Sequence, residues 1–461
     1  MTVKFFIPFW YNSIILYMRS IMKNISELGL QIPEILLPAS SIDPQKWSVI
    51  ACDQYTSQPE YWQKVEQFVG ASPSTLNLVF PEVFLGKADE NQRIEKIHRS
   101  MVDYLHSGLL ESREGMIYVE RTINGKTRRG LMVALDLEKY DFNKGSQTLV
   151  RATEGTILDR LPPRMKIREK APLELPHILM LIDDPEDTVI GGIENMKNSL
   201  PLVYDFDLMQ SSGHLTGRFV NDQKLEKLVF QGLTSLANPE TFAQKYNLPK
   251  GTPVLLYASG DGNHSLATAK AIWEKIKNSV GMDHPARYAL VEIENVHDKA
   301  LEFEPIHRVL FEVRNDPIEM LKKHFGKDVT FSTAGSSTEM INTVKSAQGA
   351  EHLFGLITSS GCQIVSIHNP KLNLPVGTLQ EFLDDWIKTG TSGQIDYVHG
   401  DETVCSLGAK EHNVGFYLAG MHKSELFRTV IKDGSLPRKT FSMGEAHEKR
   451  FYFEARRISL E

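Results

Sequence analysis

The sequence predicts an α+β chain, mixed α/β in content, with mixed sheets and packed helices. Three observations carry this expectation. Apolar residues recur at spacings of three and four, as amphipathic helices require. Between these stripes lie short apolar or alternating runs of strand length. An Asn124-Gly125 dipeptide joins two such runs, and the antiparallel hairpin it implies does not belong to a purely doubly wound sheet.

Taken in order, the chain opens on FFIPFWYNSIILY, residues 5–17. The run is interrupted by Pro8, Asn12 and Ser13. It is shorter than the roughly 20 apolar residues that a membrane-spanning helix needs. No small-residue cleavage site follows it. Residues 1–21 are therefore expected to be a dispensable N-terminal extension or a start placed too early, with Met18 and Met22 as alternative starts, rather than a targeting segment. Ile94, Ile97, Met101 and Leu105 predict a helix. Residues 117–136 predict two strands turning at Asn124-Gly125, whose positions both favour positive φ. PHILMLI at 176–182 predicts a buried strand, and Leu225, Val229, Leu233 and Leu236 a helix that contains Gly232. Val254 to Ala258 predicts a strand, Gly260 to Ser265 a tight turn, and Leu266, Ala269, Trp273 and Ile276 the inner face of a helix. Residues 287–296 predict another strand, 351–367 a hairpin over Ser359 to Gly361, and the final KRFYFEARRISL a last strand. The domain reading is an extension at 1–21, an α+β region at 22–245 and a second α+β region at 246–461.

At 461 residues the chain has room for two or three domains of roughly 150 residues. With 41% hydrophobic and 24% charged residues it is neither disordered nor collagen-like nor a membrane bundle. The formal charge of −7 argues against a protein that coats nucleic acid, so no nucleic-acid partner and no stable membrane insertion are expected. Cys52, Cys362 and Cys405 form no C-x-x-C pair, and their scarcity fits a reducing cytoplasm. A Walker A loop, G-x-S-x-G, H-E-x-x-H, an EF-hand loop and G-x-G-x-x-G are all missing from the sequence.

Four motifs carry candidate chemistry. Gly260-Asp261-Gly262-Asn263-His264-Ser265 lets the backbone approach a ligand closely and opens a helix, whose free N–H groups and dipole attract anions. Asp261 could hold a metal or take a proton, and His264 could bind phosphate or shuttle a proton. The alternative is a plain turn capped by Asn263 or Ser265. In the block 151–168, Arg164, Lys166 and Arg168 alternate with Met165 and Ile167. In an extended segment these cations would share one face and suit several phosphate oxygens. Glu154, Asp159 and Arg160 lie just upstream. The alternative is a solvated edge strand. His307-Arg308 could present an anion-binding pair at a strand end, and Arg438-Lys439 with Thr440, Ser442 and Gly444 could close over a phosphate. The acidic run 183–187 could bind a divalent cation or be a plain solvated turn, and Asp53 is one candidate polar contact.

With these motifs set out, the chain resembles the DUF1015 family of bacterial proteins. The resemblance rests on ACDQYTSQPEYW, EGT with DRLPPR, GDGNHSLATAK, PIHRVL and LPRKTFSMGEA, and it covers nearly all of the chain after about residue 22. Many members carry D-G-H-H-R where this chain has Asp261 to Ser265. That turn is similar to the nucleotide-phosphate motif of the ParB/sulfiredoxin superfamily, which includes partition proteins that bind CTP, sulfiredoxins that use ATP, and kinases that phosphorylate free serine. The resemblance implies a ParB/sulfiredoxin-like nucleotide-binding core with additional N- and C-terminal elements. It implies a phosphotransferase acting on a small hydroxyl substrate, with L-serine the first candidate, ATP or ADP as co-substrate and Mg²⁺ as cofactor. Asp261, His264 and the backbone and side chains of Gly260, Gly262, Asn263 and Ser265 would cradle phosphate. Glu154 would be the base, and Arg160 would stabilise charge on the transferring group. Asn263 and Ser265 replace the first His and the Arg of the motif. Arg160, Arg164, Lys166, Arg168, His307 and Arg308 are then the substitutes for the missing guanidinium. A phosphatase or nucleotide hydrolase on the same site, and a non-catalytic nucleotide-sensing module, are the alternatives.

Overall fold

The computed structural model describes residues 25–156, 158–390 and 392–460, and for Arg160 the backbone. The expectation for residues 1–21 lies outside the described residues. The chain divides into two units. Unit 1 draws on residues 1–152, 156–300 and 446–461, and unit 2 on 153–155 and 301–445. The expected division at 245/246 falls within unit 1, where the helix Pro239–Tyr246 ends.

Unit 1 is built on a sheet of ten strands among the described residues. Eight of them are β1 (Met116–Ile123), β2 (Lys126–Asp136), β3 (Val150–Ala152), β4 (Leu179–Ile182), β5 (Leu202–Asp207), β6 (His214–Val220), β7 (Tyr257–Asp261) and β8 (Tyr288–Asn295). Their order is β5-β6-β1-β2-β8-β4-β7-β3. The first five of these are antiparallel neighbours, whereas β4 runs parallel to β8 and β3 parallel to β7, so the sheet is mixed as expected. The β1–β2 hairpin turns on Asn124 at φ 51° and Gly125 at φ 75°, the two positive values its sequence calls for.

Four helices of unit 1 matter here: α1 (Glu90–His106), α2 (Leu161–Arg168), α3 (Gln223–Leu236) and α4 (Asn263–Val280). Their apolar stripes face the sheet. Ile94, Ile97 and Met101 of α1 are buried with Ile117, Val119 and Met132 on one face of the sheet. Leu225, Val229 and Leu233 of α3, and Leu266, Ala269 and Trp273 of α4, pack with Val133, Val291 and Ile293 on the other. Gly232 lowers the helix propensity of α3. Its reason is packing, because a Cβ there would sit 2.9 Å from Val189 Cγ2.

Three expectations are corrected. The strand expected at 254–258 is β7, which begins later, at Tyr257, and carries Gly260 and Asp261 as its last residues. Residues 164–168 are not extended but form the end of α2. Pro162 and Pro163 sit in its first turn, where the missing N–H groups are not needed. At helical spacing Arg164 and Arg168 share a face and Lys166 points away. The final segment is strand only at Arg456–Arg457, with bridges of Phe451 to Ile50 and Ala455 to Leu36.

In unit 2 the strands are β9 (Phe303–Leu310), β10 (Val329–Ala334), β11 (His352–Thr358), β12 (Gly361–Ile367), β13 (Ile395–His399), β14 (Val414–Tyr417) and β15 (Phe441–Met443). They form an antiparallel sheet in the order β10-β12-β11-β14-β9-β13, with β15 on the start of β9. The expected hairpin is β11–β12, with Thr358 facing Gly361. Helices α5 (Pro375–Lys388) and α6 (Asp401–Gly408) contribute buried residues, among them Phe382, Trp386 and Val404. No helix among the described residues is long and apolar enough to cross a membrane.

Candidate functional site

The junction between β7 and α4 sets the site. Gly262 takes φ +74°, and a Cβ on it would lie 2.9 Å from Ile178 Cα. Both the conformation and the close approach demand glycine. No side chain caps α4, so the alternative of a turn capped by Asn263 or Ser265 is not what the chain adopts. The Gly262 N–H is taken by Asp261 Oδ1 at 2.9 Å. The first turn of this 18-residue helix therefore offers its N–H groups and the positive end of its dipole without a competing side chain. Asn263 Oδ1, buried there, has no hydrogen-bond partner among the described residues.

Polar groups surround that turn. Lys449 Nζ lies 3.0 Å from Asp261 Oδ2. Burial alone would raise the Asp261 carboxyl, but the Lys449 ammonium and the Gly262 N–H hold it below its ordinary value. Ser265 Oγ is 2.9 Å from His177 Nε2, and the Tyr452 hydroxyl is 2.8 Å from His177 Nδ1. Tyr452 accepts the Cys52 N–H at 3.1 Å, so its own hydrogen is available to His177 Nδ1. That tautomer directs the His177 Nε2–H to Ser265. Asp53 Oδ2 lies 3.9 Å from the same Nε2.

The C-terminal segment is held in place by two buried arginines. Arg121 of β1 donates to the carbonyls of Ser212, His447 and Lys449. Arg450 pairs with Glu292 at 2.7 Å and Glu454 at 2.8 Å, and donates to the Pro176 carbonyl. These ties bring Lys449 to Asp261 and Tyr452 to His177. Gly130 leaves the room for Glu292, since a Cβ there would stand 2.1 Å from Glu292 Oε1. Next to this pair Arg128 Nε approaches Glu294 at 2.7 Å, and burial pushes the Glu294 carboxyl up to about 8 despite that cation.

Beside Ser265 and His177 lies a cavity of about 130 Å³. Apolar residues including Leu78, Phe80, Met101 and Leu173 form most of its wall. Glu82 and Arg164 meet there at 2.5 Å, and Arg168 and Glu174 at 2.6 Å. Burial raises the Glu82 carboxyl even against Arg164. Burial also pushes the Cys52 thiol well up, which removes it as a nucleophile.

The expected site residues thus fall into two groups. Unit 1 brings together Gly260 to Ser265 with Arg164 and Arg168 around the turn and the cavity. The row of cations is corrected: Lys166 is half-exposed and reaches Glu90 and Asn91 instead. The Arg160 side chain lies outside the description. Unit 2 holds Glu154, His307, Arg308, Arg438 and Lys439. His307 and Arg308 are interior to β9 and fully buried, not an exposed pair at a strand end. As consecutive strand residues they face opposite ways. His307 Nδ1 accepts the Leu418 N–H, its Nε2 stands 3.7 Å from Asp401, and its ring stacks on Tyr417. Burial brings its pKa down to about 4. Arg308 donates to Gln380, Ile306 and the Arg438 carbonyl, and burial brings it down to about 10 although Glu154 and Tyr397 favour its charge. Arg438 pairs with Asp384 and Tyr397, and Lys439 is exposed at φ 55°.

Sequence reasoning misses four residues of the turn's surroundings. It places His177, Lys449 and Tyr452 only within strands, and Asp53 only as a polar contact. The available signal is the charge alternation in KRFYFEAR, where Lys449, Arg450 and Glu454 interrupt an aromatic run that is otherwise core.

No curated protein matches the chain. Among solved structures, a free serine kinase in complex with AMP is similar at 11% identity and TM-score 0.36, over 71% of this chain and 92% of that one. A conserved hypothetical protein from Pyrococcus furiosus is similar at 11% identity and TM-score 0.35, over 71% and 95%. C-terminally truncated SbnI from Staphylococcus aureus follows at 11% and 0.34, over 68% and 83%. The family model described as a protein of unknown function, DUF1015, matches residues 36–386. Its span takes in the Asp53 loop, His177 and the whole β7–α4 junction, and the chain belongs to that family.

Proposed function

We propose that this protein is a phosphotransferase that moves a phosphoryl group from a nucleotide, ATP or ADP, to a small hydroxyl acceptor, with free L-serine the first acceptor to test. The observation that carries the reading is the uncapped N-terminus of α4 behind a turn only glycine can make. Phosphoryl transfer depends chiefly on positioning and on neutralising charge. The N–H groups of Asn263, His264 and Ser265 offer both to phosphate oxygens. Lys449 adds a cation beside them, and Asp261 stays ionised to orient it. Among the described residues no three His, Cys, Asp or Glu side chains gather as a metal site. Mg²⁺ carried by nucleotide phosphates needs only one or two carboxylates, and Asp53 fits that requirement. When bound, Mg²⁺ supplies charge neutralisation. Glu154 is the proposed base for the acceptor hydroxyl, and Arg160 is the proposed stabiliser of the transferring group.

The test incubates the protein with Mg²⁺, L-serine and ATP, ADP or CTP, and reads phosphoserine by mass spectrometry. Nucleotide-dependent phosphorylation of an acceptor hydroxyl, on L-serine or another small alcohol, is expected, with Asp261→Asn lowering kcat/KM by about 10²-fold or more. Glu154→Gln tests the base through the pH dependence of kcat/KM. Phosphate released without acceptor would make the site a hydrolase instead. Full turnover in folded Asp261→Asn protein would overturn the reading.

A further inference from the structure

We propose that the cavity beside Ser265 is the acceptor pocket, and that it takes a neutral alcohol with a compact apolar body. This rests on the phosphotransferase reading and narrows its acceptor.

Size and lining point to that class. An apolar cavity of about 150 Å³ admits one benzene ring. At about 130 Å³, with walls from Leu78, Val79, Phe80, Leu85, Met101 and Leu173, this one fits a body of comparable girth. Its charged groups satisfy each other, Glu82 with Arg164 and Glu174 with Arg168. A zwitterion such as L-serine would bring a carboxylate and an ammonium to a wall with no uncommitted counter-charge, at a desolvation cost that apolar neighbours do not offset.

One part of the wall is different. His177, Ser265, Cys52 and Tyr452 line it, and the hydrogen-bond chain from Tyr452 through His177 ends on Ser265 Oγ. Ser265 accepts in that chain, so its own hydrogen is available to a ligand hydroxyl. Ser265 also belongs to the first turn of α4, which orders the phosphate. An alcohol seated with its body in the cavity therefore presents its oxygen at the nucleotide phosphate. In the step, the alcohol oxygen bonds to the terminal phosphorus as the bridging P–O bond breaks. The electron pair leaves on the nucleotide's phosphate oxygen, and the alcohol proton passes to the base and then to solvent.

The test uses the full chain and benzyl alcohol as probe. Ligand-observed NMR without nucleotide measures binding, with L-serine as competitor. Mass spectrometry with Mg²⁺ and ATP or ADP then looks for benzyl phosphate. Ala171→Leu fills the cavity, and Leu85→Phe fills it from another wall segment should the first variant not fold. The expected result is saturable binding, weakened at least tenfold in the filled variant and untouched by L-serine, together with nucleotide-dependent benzyl phosphate. Absence of saturable binding, displacement by L-serine, or phosphorylation of L-serine but not of bound benzyl alcohol would each overturn the pocket assignment. Binding that the filled variant abolishes, with no acceptor phosphorylated by any nucleotide, would instead overturn the phosphotransferase reading and the acceptor role with it.

Discussion

Lys449 is the residue on which the charge of Asp261 depends. The carboxyl is three-quarters covered, and without the ammonium 3.0 Å away burial would dominate. Its depressed pKa means that the ion pair stabilises the fold above the ordinary Asp range near 3.9. That contribution is lost as pH falls through the lower folded value. Replacing Lys449 by Met strands the carboxylate, and the expected loss at neutral pH is about 3 kcal/mol. The deficit relative to the parent should shrink as the pH is lowered through the carboxylate range, because a protonated Asp261 needs no partner. Urea unfolding at pH 7 and pH 4 checks this, and an equal deficit at both would contradict it. At this scale the sequence is partly legible. Asp261 and Gly262 stand out because strand, glycine turn and helix are contiguous. Lys449 lies 188 residues away and meets Asp261 only through tertiary structure.

At the scale of elements, β9 shows how one buried cation can tie separate segments together. Arg308 is wholly buried, and its guanidinium reaches Gln380 on α5, the Ile306 carbonyl and the Arg438 carbonyl. Arg308→Met removes these donors and leaves the acceptors dry. The expected loss is roughly 3 kcal/mol, with faster amide exchange concentrated at 436–440. Hydrogen exchange read by mass spectrometry checks it, and uniform loosening of unit 2 would argue for a packing effect alone. Helical stripes and the Asn-Gly hairpin are legible because their signals are local. The 164–168 segment misleads because its charges alternate with a period of two over only five residues. The prolines before it carry the better signal, since they favour a helix's first turn. The final segment reads as strand throughout because its aromatic run is core residue by residue, yet it does not pair as a ladder.

For the molecule as a whole, acid should act first on unit 2. His307 and His352 are both buried there, and burial brings each to about 4, below the ordinary value near 6.5. The folded unit keeps both neutral while the unfolded chain binds protons. Their stabilisation is therefore complete above about pH 6.5 and lost as the pH falls toward 4, at most about 1.4 kcal/mol per pH unit for each group. Native-state hydrogen exchange between pH 7 and 5 should show unit 2 amides losing protection more steeply than those of unit 1. His307→Phe should flatten that slope, and an unchanged slope would assign the acid sensitivity elsewhere. The division at 300/301 and 445/446 is not legible, because composition does not shift there and no linker marks it.

Unit 1 is completed only after unit 2 has been traversed, by residues 446–461. On the ribosome, then, β7 and the start of α4 emerge long before the segment that completes them. A nascent chain stalled at residue 445 would carry Asp261 without Lys449 and His177 without Tyr452. The glycine turn would be present in it, but its electrostatic surroundings would not. Assembly of the turn's polar surroundings thus waits for late synthesis, and a partly made chain carries the turn without Lys449 and Tyr452.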